Sequence, residues 1–74
     1  MKFHRAKING ASVYASPDES VIVYKEGGAW TWDTVEGGVN TSFYQLMKHA
    51  QQKAETYLIL KEVEFLEQEF LWNN

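Results

Sequence analysis

Cysteine is absent from these 74 residues, which excludes disulfides and every thiolate metal site. Proline occurs once and glycine five times, too few for a low-complexity or disordered chain. No apolar run approaches the roughly 18 residues that a membrane span needs. No signal-type apolar segment follows Met1-Lys2-Phe3-His4-Arg5, so a soluble cytoplasmic protein without membrane contact is the expectation. One stretch also lacks every turn-former. Ser42 to Trp72 contains no Gly, Pro, Ser, Asp or Asn after its first position, which reads as helix.

What the chain has is apolar and aromatic surface, 45% and 15% of its residues respectively. A chain this short buries only about 60–65% of the surface its unfolded form exposes. Without disulfides or metal it must rely on good packing or on self-association. The net charge of −3 is unevenly placed. Residues 1–25 carry Lys2, Arg5, Lys7 and Lys25 against Asp18 and Glu19. The remainder sets three lysines against eight acids. A mildly basic first part and an acidic second part argue against non-specific nucleic-acid binding by the whole chain.

Asn9-Gly10 lies between two strand-like runs, a strong hairpin signal because a type I′ turn needs positive φ at both central residues. That loop pairs Ile8 with Ala11, Ala6 with Val13 and His4 with Ala15. One face then gathers these small apolar residues and suits close approach by a helix. The other gathers Phe3, Arg5, Lys7, Ser12 and Tyr14. Ser16-Pro17-Asp18-Glu19 reads as a turn, with Pro presetting φ at the first corner. Gly27-Gly28 closes a second hairpin that pairs Lys25 with Trp30 and Val23 with Trp32. Val21, Val23, Trp30 and Trp32 share a face and read as core. Residues 1–35 therefore form a four-stranded antiparallel meander, and 41–72 a helical region, in one α+β domain.

Ser42 and Gln45 match a capping box, with Asn40 or Thr41 as the other caps. Phe43, Leu46, Met47, Ala50 and Ala54 recur at helical spacing as a core stripe. Beyond Tyr57 the continuation of that stripe is interrupted by Lys61 and Gln68. A second stripe, Ile59, Val63, Leu66 and Phe70, lies roughly 140° around the helix. Three explanations compete. A single helix overhangs the sheet, the chain bends into a second helix near 57–60, or Thr56 to Phe65 forms a fifth strand. The overhanging helix is preferred, since no turn-former interrupts it and Lys61 would break a strand's apolar face.

Catalytic signals are missing: no cysteine nucleophile, no Gly-x-Ser-x-Gly elbow, no phosphate loop and no dinucleotide fingerprint. The spacing of His4 and His49 does not suggest a metal site, and no cofactor is expected. Glu62, Glu64, Glu67 and Glu69 read as a solvated acidic face. Asn40-Thr41-Ser42 matches a glycosylation sequon by pattern alone.

Two surfaces remain. Ile59, Val63, Leu66, Phe70 and Trp72 lack an intramolecular partner and predict an interface, by preference a homodimer about a two-fold axis. A different protein partner is the next choice. The alternative function is a single-stranded nucleic-acid module in which Phe3, Arg5, Lys7, Tyr14, Ile22 and Tyr24 share one sheet face. No stretch carries a family motif. The expected function is a small, non-catalytic interaction or assembly protein.

Overall fold

Both hairpin turns form where the glycines permit them. Asn9 and Gly10 have φ of 52° and 82°, the doubly left-handed corner that a type I′ loop requires. The flanking strands β1 (His4–Ile8) and β2 (Ala11–Ala15) pair in the predicted register. Strands β3 (Val21–Glu26) and β4 (Ala29–Thr34) do the same around Gly27-Gly28, with Val23 opposite Trp32. The sheet order is β1-β2-β3-β4, a plain antiparallel meander. The computed structural model describes the backbone of residues 2–72 and the side chains of residues 2–66.

The join between the hairpins differs from expectation and decides which faces are which. Tyr14 pairs with Val23 and Ala15 with Ile22. The turn is built by Ser16, whose backbone N–H donates to the Val21 carbonyl at 2.9 Å. Asp18 accepts from both Ser16 Oγ and Ser20 Oγ at 2.8 Å, and Glu19 takes a left-handed φ of 60°. A one-residue change in pairing sends every side chain to the other face. The face of Val21, Val23 and Trp32 therefore continues into Tyr14 and Arg5. The small residues Ala6, Val13 and Ala15 lie on the opposite, back face.

A single helix, α1 (Met47–Trp72), packs on the front face. Ala50 and Ala54 are fully buried against Val21, Val23 and Trp32, and their short side chains let the helix sit close to the sheet. Partly buried Phe3, Tyr14, Trp30, Tyr44, Met47, Tyr57 and Leu58 complete this core. The Trp32 and Tyr57 rings meet at 5.1 Å between centroids, a tilted aromatic contact.

The helix starts later than the capping box implies. Trp30 and Tyr44 exchange backbone hydrogen bonds of 2.7 Å in both directions, so the chain runs as a short extension of the sheet edge through Tyr44. Ser42 accordingly caps nothing; its carbonyl accepts from Thr31 Oγ1 at 2.7 Å. Phe43 and Leu46, expected in the core stripe, are 53% and 50% exposed. Past Leu58 the helix runs on unbroken, with neither the bend near 57–60 nor a fifth strand. Its 26 residues span about 39 Å at 1.5 Å per residue, and the molecule measures 48 × 22 × 22 Å.

Candidate interaction surfaces

Four strands spaced about 4.8 Å apart make a face roughly 15–19 Å wide, and one helix of about 10 Å diameter covers two of them. That is what is found: α1 lies on β3 and β4 and, among the described residues, does not reach β1 or β2. Over β1 and β2 the front face therefore presents Phe3, Arg5, Lys7, Ser12 and Tyr14 beside the helix. The Arg5 guanidinium carbon stands 6.0 Å from the centre of the Tyr14 ring, a cation–π arrangement. Arg5, Ala6, Lys7 and Ser12 line a shallow hollow of about 360 Å³.

The predicted nucleic-acid surface is divided by the sheet. Phe3, Arg5, Lys7 and Tyr14 lie on the front, whereas Ile22 and Tyr24 lie on the back, because Tyr14 shares its face with Val23. Phe3 and Tyr14 are moreover engaged with the core. The six residues do not make one stacking platform.

The second surface is the overhanging helix. Ile59, Leu60, Val63, Phe65 and Leu66 are between 45% and 65% exposed. Ile59, Val63 and Leu66 form the predicted second stripe. Phe65 instead continues the line of Ala50, Ala54 and Leu58 beyond the end of the sheet. Phe70 and Trp72 lie outside the described side chains. Lys61 reaches back over the Tyr57 ring at 5.8 Å and to Glu64 at 3.7 Å. Leu58 and Lys61 line hollows on both sides of the helix, whereas Glu62 faces only the one shared with Pro17 and Asp18, so the Glu62 flank looks toward the β2 side.

A third feature lies on the back face, which sequence reasoning did not single out. Ile8, Val13, Ile22, Tyr24, Val35 and Gly37 line a groove of about 310 Å³. Burial, reinforced by the neighbouring charges of Glu26 and Asp33, raises the Tyr24 hydroxyl above the ordinary tyrosine range. One wall of the groove is the β4–α1 loop, which Asp33 organises. The Asp33 carboxylate accepts from the backbone N–H of Thr34, Gly38, Val39 and Asn40 at 2.8, 2.9, 2.9 and 3.4 Å. Asn40 passes the constraint onward, its amide donating to Thr31 Oγ1, Trp32 O and Ser42 O. A nitrogen engaged three times is poorly placed for glycosylation.

Burial pushes the Asp33 carboxyl upward, but the four backbone donors outweigh it and hold the group below the ordinary aspartate range. A depressed folded value stabilises the fold above the unfolded value of about 3.9. That contribution fades as pH falls through the folded value. Denaturant melts across pH 2–6 should show stability declining at the acid end, roughly from pH 5 downward. Asp33→Asn should flatten that part of the profile, and an unchanged slope in the variant would assign the acid sensitivity elsewhere.

His4 is exposed at the sheet's end with its Nε2 3.2 Å from Glu19 Oε1, and His49 is exposed on the helix. Among the described residues no group of three potential metal ligands converges, and no helix is long and apolar enough to cross a membrane. Comparison with protein-family models, curated proteins and solved structures gives no match.

Proposed function

We propose that this chain is a small assembly protein without catalytic activity of its own, which joins a protein partner through its projecting helix. A second copy of the chain is the first choice of partner. The observation that carries the reading is the exposed set Ile59, Leu60, Val63, Phe65 and Leu66, on a helix that has run past its sheet. An apolar surface of that extent on a small domain is ordinarily an interface. Asp18 and Asp33 are occupied in holding a turn and a loop, a structural use of both carboxylates.

Sedimentation equilibrium at roughly 100 μM, where weak self-association is populated by mass action, should give the mass of a dimer. Leu66→Glu, at a site that touches nothing in the core, should weaken association by at least about tenfold, because a charge would be buried at the contact. It should leave the circular dichroism spectrum unchanged. A monomeric wild type would remove self-association, and an unaffected dimer would remove Leu66 from the contact.

A further inference from the structure

The chain has a helix segment without a sheet and half a sheet face without a helix. The overhang from Ile59 to Trp72 is about 21 Å long at 1.5 Å per residue. The five-residue β1 is about 17 Å long at 3.4 Å per residue. Each vacancy therefore matches the other in length, and the uncovered width over β1 and β2 is that of one helix.

Their charges match as well. The vacant half-face presents Arg5 and Lys7, both exposed. The overhang carries one lysine, Lys61, against Glu62, Glu64, Glu67 and Glu69. Apolar groups occupy the middle of each surface: half-buried Phe3 and Tyr14 on the sheet, and Phe65 on the helix, 65% exposed on the same side as Ala50 and Ala54. In one chain Phe65 has no sheet beneath it.

Resting on the assembly reading above, we propose that two copies pair about a two-fold axis normal to the sheet. The overhanging half of each helix then covers the β1–β2 half of the other copy's front face. The two helices run antiparallel side by side and cross the axis near Ile59. Phe65 of each copy settles onto Phe3 and Tyr14 of the other. Leu66 and Ile59, on the flank that Glu62 shows to face β2, enter the seam between the helices. Glu64 lies on the outer flank and meets Arg5 and Lys7 at the β1 edge. The result is two layers in which every front-face strand lies under a helix.

Charge reversal tests this arrangement apart from the general one. Arg5→Glu with Lys7→Glu should weaken the dimer about tenfold or more, since like charges are brought together. Glu64→Lys, on the exposed outer flank of the helix, should do the same. Combining these three changes should restore most of the affinity, and the wild-type dimer should loosen as salt is raised. A wild-type dimer indifferent to both reversals would overturn this geometry while leaving assembly through the helix intact. A monomeric wild type would overturn both. Should the β1 variant fail to fold, the Glu64 reversal alone decides, because that residue lies outside the core.

Discussion

Trp32→Ala should be the most destabilising single truncation in this domain, removing about half of its stability. Trp32 is 7% exposed, faces Val23 across the strands and meets Tyr57 of the helix in a tilted ring contact. Among the described residues it is the one aromatic side chain buried between the two layers. Truncating a buried tryptophan costs about 3–5 kcal/mol through lost burial and the cavity left behind. At about 0.05–0.15 kcal/mol per residue, the whole domain is stable by only some 4–11 kcal/mol. The melting temperature should fall by roughly 15 °C or more, measured at fixed protein concentration because any association would add to apparent stability. Trp32→Phe should be much milder, about 1–2 kcal/mol by volume. The indole N–H is buried without a hydrogen-bond partner, so the phenyl ring forfeits area and no bond. An Ala variant melting within a few degrees of wild type would show that Ala50, Ala54 and the valines hold the layers together without it.

The parts of this fold that were legible in the sequence are those decided by neighbouring residues. Asn9-Gly10 and Gly27-Gly28 admit one kind of tight turn, and alternation of side chains then sets each hairpin's register. The absence of turn-formers after Ser42 likewise announced the unbroken helix. Relations between hairpins were not legible. The Ser16–Ser20 connection depends on Asp18 accepting from two serines and on Glu19 adopting positive φ, and neither is demanded by residue type. That connection moved Tyr14, with Arg5, to the core face, while Tyr24 stayed on the back as expected. The helix start failed for a related reason. Nothing in Phe43-Tyr44-Gln45-Leu46 opposes helix locally, but the free edge of β4 offers Tyr44 two backbone hydrogen bonds across fourteen residues. A tertiary partner outweighed a local cap.

The same distinction applies to the candidate surfaces. The stripe at Ile59, Val63 and Leu66 was visible as periodicity, because a helix turns its residues by a constant angle. The vacant half-face beside the helix was invisible, since it follows from where α1 lies on the sheet. Periodicity already carries the core stripe on to Phe65, and the placement of α1 adds that no sheet lies beneath it.

The second large effect is expected at Asp33. Asp33→Ala should cost about 2–3 kcal/mol, less than four separate bonds to a carboxylate would suggest. The reason is that Gly38 and Val39 are exposed and their N–H groups regain water, whereas Asn40 is half-buried and its donor is left poorly satisfied. The loss should spread along the chain in a definite order. Asn40 positions the Ser42 carbonyl, and Ser42 leads directly to the Tyr44–Trp30 pairing that delivers the chain to α1. Amide exchange in the variant should therefore quicken most at Val39, Asn40 and Tyr44, and least within the β1–β2 hairpin, which has no part in the loop. Uniform acceleration at every amide would mean that the loop opens only with the whole domain, and that Asp33 acts on global stability alone. Localised acceleration would identify the β4–α1 loop as a separately opening unit. In that case the helix loosens at its start, where Tyr44 leaves Trp30, before the sheet beneath it opens.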